Sequence, residues 1–285
     1  MLAHSRVGIV GLGLMGGSLA LALRGQCALL AGCDRDAHTL ERALQRGVVD
    51  CGAMDLRAMR DAAGEIDLLI LATPIGAMLH LIPQLSAVFD APLHVLDLGS
   101  TKTKIVQALT QLPPHIHPIG GHPLCGKEIA GLDAAEAGLF RDRVFALTTL
   151  ERTPDDTLAL AREVVAATGA RAIMLDAERH DRVAAAISHA PYLTSVALVD
   201  AAARCNDEMV WTLAASGFRD STRLAASDVT MMLGILATNR SAILAQLAHV
   251  RASLDELTAL IEREDEALLC ARLDVSRKRR EELFR

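Results

Sequence analysis

The hexapeptide Gly11-Leu12-Gly13-Leu14-Met15-Gly16 has the glycine spacing of a loop that lets main chain approach a diphosphate. Its first glycine permits a tight turn, its second leaves room for the pyrophosphate, and its third allows a helix to pack closely on a strand. Leu14 and Met15 open that helix, whose free amides would face the phosphates. Asp34 lies 18 residues beyond Gly16, where a carboxylate can accept hydrogen bonds from ribose hydroxyls and repel a 2′-phosphate. The pattern predicts NAD rather than NADP, with Arg35 as a neighbour able to pair with a phosphate. Thr73 and Pro74, closing a later apolar run, are assigned to the same cofactor site.

Three further segments are rich in polar and glycine residues: 97–102 (DLGSTK), 120–126 (GGHPLCG) and 217–223 (GFRDSTR). The first follows an apolar run, so Ser100 is expected at the carboxyl edge of a sheet, where ligands bind. His122 follows a short expected strand, 116–119, in a glycine-rich turn. An imidazole with an ordinary pKa of about 6.5 can accept a hydroxyl proton there. On position alone, a hydrogen-bonded loop histidine accounts for His122 equally well.

These residues need a scaffold. Apolar runs at 6–10, 28–33, 66–73, 93–98, 144–148 and 171–175 alternate with helical segments at 14–24, 75–88, 101–112 and 154–168. Such alternation predicts an α/β fold, a Rossmann-like, doubly wound and mostly parallel sheet. From about residue 176 strand signals vanish, and Ala, Leu, Glu and Arg dominate long helical stretches at 181–204 and 241–263. Two domains are expected, 1–175 for the dinucleotide and 176–285 as an all-helical substrate and dimerisation domain. No Pro/Gly/Ser linker separates them, so the first long helix should join them directly. The apolar helical surface exceeds what one neighbouring sheet can cover, which predicts a homodimer.

Composition narrows the function classes. Hydrophobic residues make up 51% of the 285 and charged residues 22%, enough for a sizeable core. A net charge of −6 leaves no broad cationic surface for nucleic acid. The six cysteines show neither a CxxC pair nor zinc spacing, so no metal site is expected, and a reducing cytoplasm is. The uncharged stretch 7–23 and the lipobox-like Leu30-Ala31-Gly32-Cys33 raise a secretory reading, but the glycine loop and Arg24 interrupt it. No membrane association is expected. The basic cluster 277–280 reads as a solvated helix end.

Taken with the glycine loop, the three segments and the stretch Glu178 to Pro191, which carries His180-Asp181 and Ser188-His189-Ala190-Pro191, resemble the prephenate/arogenate dehydrogenase family over about residues 7–239. The resemblance implies NAD-dependent oxidative decarboxylation of a cyclohexadienyl substrate, prephenate or arogenate, in tyrosine biosynthesis. It implies His122 as the group that takes the ring hydroxyl proton and Ser100 as the residue orienting that network. Arg223 would bind a substrate carboxylate and Asp220 would hold Arg223, with Arg219 a second candidate. His189 is read as structural, and His180 and Asp181 as packing or capping residues.

Two positions depart from the family pattern. Tyr192 stands where many prephenate-using relatives have a second histidine, and Lys127 where a small hydroxyl residue is usual. Lys127 is a candidate for a substrate carboxylate or an exposed lysine, and Glu128 could act on an amino substrate through its charge. Two other functions share this layout. A 3-hydroxyacid type of dehydrogenase would need a lysine on the first helix after the sheet, and none lies between Asp176 and Asp200. A non-catalytic dinucleotide sensor would lack the acid/base residues present here.

Overall fold

The computed structural model describes residues 1–127 and 129–284. Glu128, a candidate above, lies outside the described residues. Among the described residues, eight strands form one sheet in the order β3-β2-β1-β4-β5-β6-β7-β8. They are β1 (Arg6–Val10), β2 (Leu29–Cys33), β3 (Cys51–Ala53), β4 (Leu68–Leu71), β5 (Leu93–Asp97), β6 (Ile116–Pro123), β7 (Val144–Thr148) and β8 (Arg171–Met174). The first six are parallel, β7 runs antiparallel to β6, and β8 is parallel to β7. The first six strands thus reproduce the doubly wound dinucleotide-binding order.

Helices cover both faces. They are α1 (Leu14–Leu23), α2 (Ala37–Gln45), α3 (Leu56–Ala63), α4 (Ile75–Leu81), α5 (Thr103–Thr110) and α6 (Asp155–Ala167). One core joins Ile9, Leu19, Ile70 and Leu96 to Leu160 and Val164 of α6. The other joins Val10, Leu69, Leu71 and Val95 to Met59 of α3, Met78 of α4 and Ile105 of α5. Strands buried on both sides must be apolar throughout, which is why the runs do not alternate. Most of the 28–33 stretch, with its lipobox-like end, forms β2, which pairs between β3 and β1.

The segment α2-β3-α3 was absent from the expected elements. β3 is three residues long with a central glycine, too short to stand out in composition. Its helices are marked by caps instead: Asp36 accepts from the amides of His38 and Thr39, and Asp55 from that of Ala58.

The helical half comprises α7 (Ala177–Ala184), α8 (Ala190–Ala203), α9 (Met209–Leu213), α10 (Ser216–Thr222), α11 (Val229–Thr238), α12 (Arg240–Glu262) and α13 (Glu266–Leu283). A π-turn at Ala185–His189 joins α7 to α8, and Asp176 caps the start of α7 directly after β8. The run Ala177–Ala203 is long and apolar enough to cross a membrane by length and composition. It carries His180 and His189, and packs against α12 and the sheet domain. The basic cluster is tied within α13, Arg277 to Asp274 and Glu281, and Lys278 to Asp274.

Candidate active site

The glycine loop follows β1, and Thr73 follows β4, on opposite sides of the point where the strand order reverses. Gly11 has φ +91°, and a Cβ there would meet the Ala72 carbonyl at 2.9 Å. A Cβ on Gly16 would lie 1.8 Å from the Gly11 carbonyl oxygen, so only hydrogen fits. A Cβ on Gly13 would meet nothing within 4 Å, so this glycine borders open space at the start of α1. No side chain caps α1, and its first amides remain available to an anion. The Thr73 hydroxyl is buried without a hydrogen-bond partner among the described residues. An open cradle, uncapped amides and an orphan hydroxyl all fit a dinucleotide diphosphate.

Asp34 has a second task that the spacing did not reveal. Its carboxylate accepts from the Leu12 amide at 2.8 Å and the Asp36 amide at 3.0 Å, so it holds the glycine loop against the end of β2. Each carboxylate oxygen has another lone pair, which leaves acceptor capacity for a ribose hydroxyl. Arg35 beside it is exposed.

His122 does not lie in a turn after a strand. β6 continues through it to Pro123, and His122 pairs with Ala146 of β7. Parallel pairing with β5 ends at Leu96 and Ile119, and beyond that point β7 takes over the ladder. The two glycines before His122 read as loop in sequence, but they are there for close approach. A Cβ on Gly121 would sit 2.6 Å from the Asp97 carbonyl.

His122 Nδ1 lies 2.8 Å from His180 Nε2, and His180 Nδ1 lies 2.9 Å from Asp181 Oδ1. Asp181 also accepts from the backbone amides of Lys102, at 2.7 Å, and Thr103, at 2.9 Å. Those amides open α5, which has no side-chain cap of its own, so a carboxylate from α7 supplies the cap across the domain boundary. Asp181 thus has the capping role expected of it, on a helix other than its own, and with His180 it ties the helical half to β6. Burial pushes the Asp181 carboxyl up, but the hydrogen bonds from His180, Thr103 and the Lys102 amide outweigh it and hold the group below the usual carboxylate range. Burial also drives the His122 imidazole well below its ordinary 6.5, helped by His180, Lys102 and His189, with Asp181 opposing. A neutral ring at physiological pH can accept a proton.

Lys102, at the end of segment 97–102, is a site residue that its sequence context does not mark. Its side chain and that of Asp97 are 0% exposed and ion-paired. The ammonium also donates to the Gly121 carbonyl at 2.6 Å, and Asp97 accepts from the Gly99 amide at 2.7 Å and the Gly121 amide at 3.2 Å. Burial pushes the Asp97 carboxyl up and the Lys102 ammonium down, each opposed by the other's charge. A lysine in a Ser-Thr-Lys run looks like a surface residue; only the tertiary fold buries it.

Ser100 is half-buried and precedes Thr101, whose hydroxyl lies 2.8 Å from that of Thr238 on α11. His189 is buried, and Asn239 donates to its Nδ1 at 3.2 Å and to the Asp181 carbonyl at 2.7 Å. Burial takes its pKa to about 4. Its burial and the Asn239 contact fit the structural reading of His189.

The arginine segment is arranged differently from expectation. Asp220 lies 3.6 Å from Arg219, and the two are 74% and 80% exposed. Arg223, expected in a buried fork, is exposed at the end of α10. Ser195 of α8 donates to the Ser221 carbonyl at 3.0 Å, which fixes this segment to the helical run bearing His180. Lys127 is engaged within the chain: its ammonium meets Glu136 at 2.9 Å and donates to the Ala134 carbonyl at 3.1 Å. Tyr192 is half-buried and packs on the second core.

Residues 19–174 match the family model for the prephenate dehydrogenase nucleotide-binding domain, and residues 176–275 the model for the prephenate dehydrogenase dimerization domain. A prephenate dehydrogenase of Lactococcus lactis subsp. cremoris is 34% identical over 265 residues, spanning 90% of this chain and 71% of that protein. The structure of prephenate dehydrogenase from A. aeolicus, in complex with hydroxyphenyl propionate and NAD+, superimposes with TM-score 0.92 at 30% identity over 99% of each chain. Synechocystis arogenate dehydrogenase superimposes with TM-score 0.80 at 34% identity, over 98% of this chain and 99% of that one. Sequence match across both halves, backbone agreement over nearly the whole length and a built dinucleotide cradle converge: the chain belongs to the prephenate dehydrogenase family of NAD-dependent oxidoreductases.

Proposed function

We propose that the protein oxidatively decarboxylates prephenate in tyrosine formation, with His122 as the catalytic base. The observation that carries this reading is a half-buried imidazole on β6, kept neutral by burial and engaged through Nδ1 with His180, which leaves its other ring nitrogen for a substrate hydroxyl. NAD, when bound, supplies the hydride acceptor for the ring carbon that bears the hydroxyl. His122 Nε2 takes the hydroxyl proton as that carbon gains carbonyl character. The bond to the ring carboxylate then breaks, CO2 leaves, and its electron pair aromatises the ring as a phenolate. The same imidazole returns its proton to that oxygen, so the reaction releases no net proton.

Ser100 orients the hydroxyl network, and Arg223 offers its guanidinium to a substrate carboxylate, with Arg219 and Asp220 on the same segment. Thr73 and Pro74 border the cofactor with Gly11, Gly13, Leu14, Met15 and Gly16. Arogenate is the second candidate substrate, since the prephenate-named and arogenate-named relatives share the same 34% identity with this chain. A homodimer through the helical half is proposed on exposed Leu244, Leu254, Ile261, Leu268 and Leu273 of α12 and α13. The cytoplasm is the proposed compartment, since reducing conditions suit six scattered, unbridged thiols.

The test is an assay for NADH and NADPH formation with prephenate and with arogenate, on wild type and His122→Asn. Expected are NADH with prephenate and a loss of roughly 10²-fold or more in turnover in the variant, with NADH binding retained. Wild-type turnover in His122→Asn would overturn the assignment.

A further inference from the structure

The hydrogen bonds behind His122 form a directed chain. A carboxylate can only accept, so the 2.9 Å contact to Asp181 requires the proton of His180 to sit on Nδ1. In a neutral His180 this leaves Nε2 with a lone pair, and the 2.8 Å contact to His122 is then donated by His122 Nδ1. His122 Nε2 must consequently be the bare nitrogen. Asp181 is itself pinned by the Lys102 and Thr103 amides, and its backbone carbonyl by Asn239, so the start of the chain cannot swing away.

We propose that His180 and Asp181 are positioning residues that hold His122 in the tautomer whose Nε2 lone pair is presented to the substrate hydroxyl. The proposal rests on the reading of His122 as the proton acceptor. An isolated histidine favours the opposite tautomer, with Nε2 protonated, and in that form His122 would have no lone pair to offer. When His122 accepts a proton on Nε2 it keeps its Nδ1 proton, and the imidazolium is stabilised through His180 by the Asp181 charge. The charged and titratable groups facing His122 are His180 and Asp181 from α7, Lys102 ahead of α5 and His189 from the π-turn. Lys102 is matched by Asp97, and His189 stays neutral against Asn239, so Asp181 is the anion left to answer a positive His122.

Three variants test this. His180→Phe keeps a ring but has no acceptor; His180→Gln offers a carbonyl oxygen to the Nδ1 proton; Asp181→Asn removes the charge. With prephenate and NAD, His180→Phe is expected to lose about 100-fold in kcat with KM changed less than about threefold, and His180→Gln to recover most of that loss. Asp181→Asn is expected to lower kcat and to move the acid limb of kcat/KM to lower pH, because a positive His122 is then less stabilised. Imidazole nitrogen NMR of the NAD-bound protein gives a readout independent of turnover. The His122 signal, assigned by its loss in His122→Asn, should report Nδ1–H in wild type and His180→Gln, and Nε2–H in His180→Phe. An unchanged tautomer in His180→Phe, or kcat and pH profile as in wild type, overturns the proposal. If wild type fails to oxidise prephenate, the functional reading falls, while the NMR result still decides the tautomer.

Discussion

Lys102 and Asp97 form an ion pair with no solvent exposure, and both also bind the backbone of Gly121, the residue immediately before His122. The pair thus clamps β6 to the end of β5 at the point where regular pairing between these strands has ended. Removing one partner strands the other as a buried charge. Lys102→Met should cost about 3–5 kcal/mol in urea unfolding, and Lys102→Met with Asp97→Asn should cost less than Lys102→Met alone. A single variant as stable as wild type would show that the pair is solvated.

Gly13 and Gly16 separate binding from folding. Gly13→Ala places its Cβ in open space, so the melting temperature should hold while NADH affinity falls about tenfold or more. Gly16→Ala drives a Cβ into the Gly11 carbonyl, so both affinity and stability should fall. Fluorescence titration with NADH beside thermal melts checks this; equal NADH affinity in Gly13→Ala and wild type would remove that residue from the cradle.

Asp34 both holds the glycine loop and meets the ribose in the proposed complex. NADH should bind more tightly than NADPH in wild type. Asp34→Ala should weaken both dinucleotides, because the Leu12 amide loses its acceptor. A variant that simply gains NADPH affinity would mean that the carboxylate acts by charge alone.

His189 makes stability depend on pH. Its folded pKa, about 4, lies below the ordinary 6.5 because the ring is buried. Between these values the unfolded chain binds a proton that the folded chain refuses. The contribution of the neutral ring is therefore complete above pH 6.5 and lost as pH falls toward 4, by up to about 3 kcal/mol. His122, also depressed, adds in the same direction. Urea midpoints measured from pH 7 to 4.5 should fall steadily, and less steeply in His189→Asn; a flat wild-type profile contradicts the assignment.

In the proposed homodimer the exposed leucines and isoleucine of α12 and α13 are covered by the second subunit. Sedimentation at micromolar concentration should show a dimer, and Leu254→Glu with Ile261→Glu should shift it to monomer. A wild-type monomer at that concentration would exclude these helices as a stable interface.

What the sequence determined by itself was everything carried by local pattern. The strands β1, β2, β4, β5 and β7 were legible because doubly covered strands are continuous apolar runs, and the glycine loop because two of its glycines are sterically required and the third borders the open cradle. Ser100 and His122 stood out because polar residues at the carboxyl edge of a sheet are rarely decorative. Tertiary structure alone decided what lies behind them. His122 and His180 are 58 residues apart, and Lys102 and Asp181 are 79 apart, so no spacing rule links them. Burial of Lys102, capture of Lys127 by Glu136 and extension of β6 through two glycines were equally hidden. A charge in a sequence carries no sign of its solvation. That depends on which groups the fold brings within 3 Å, and those contacts set whether an imidazole is a base, a brace or a bystander.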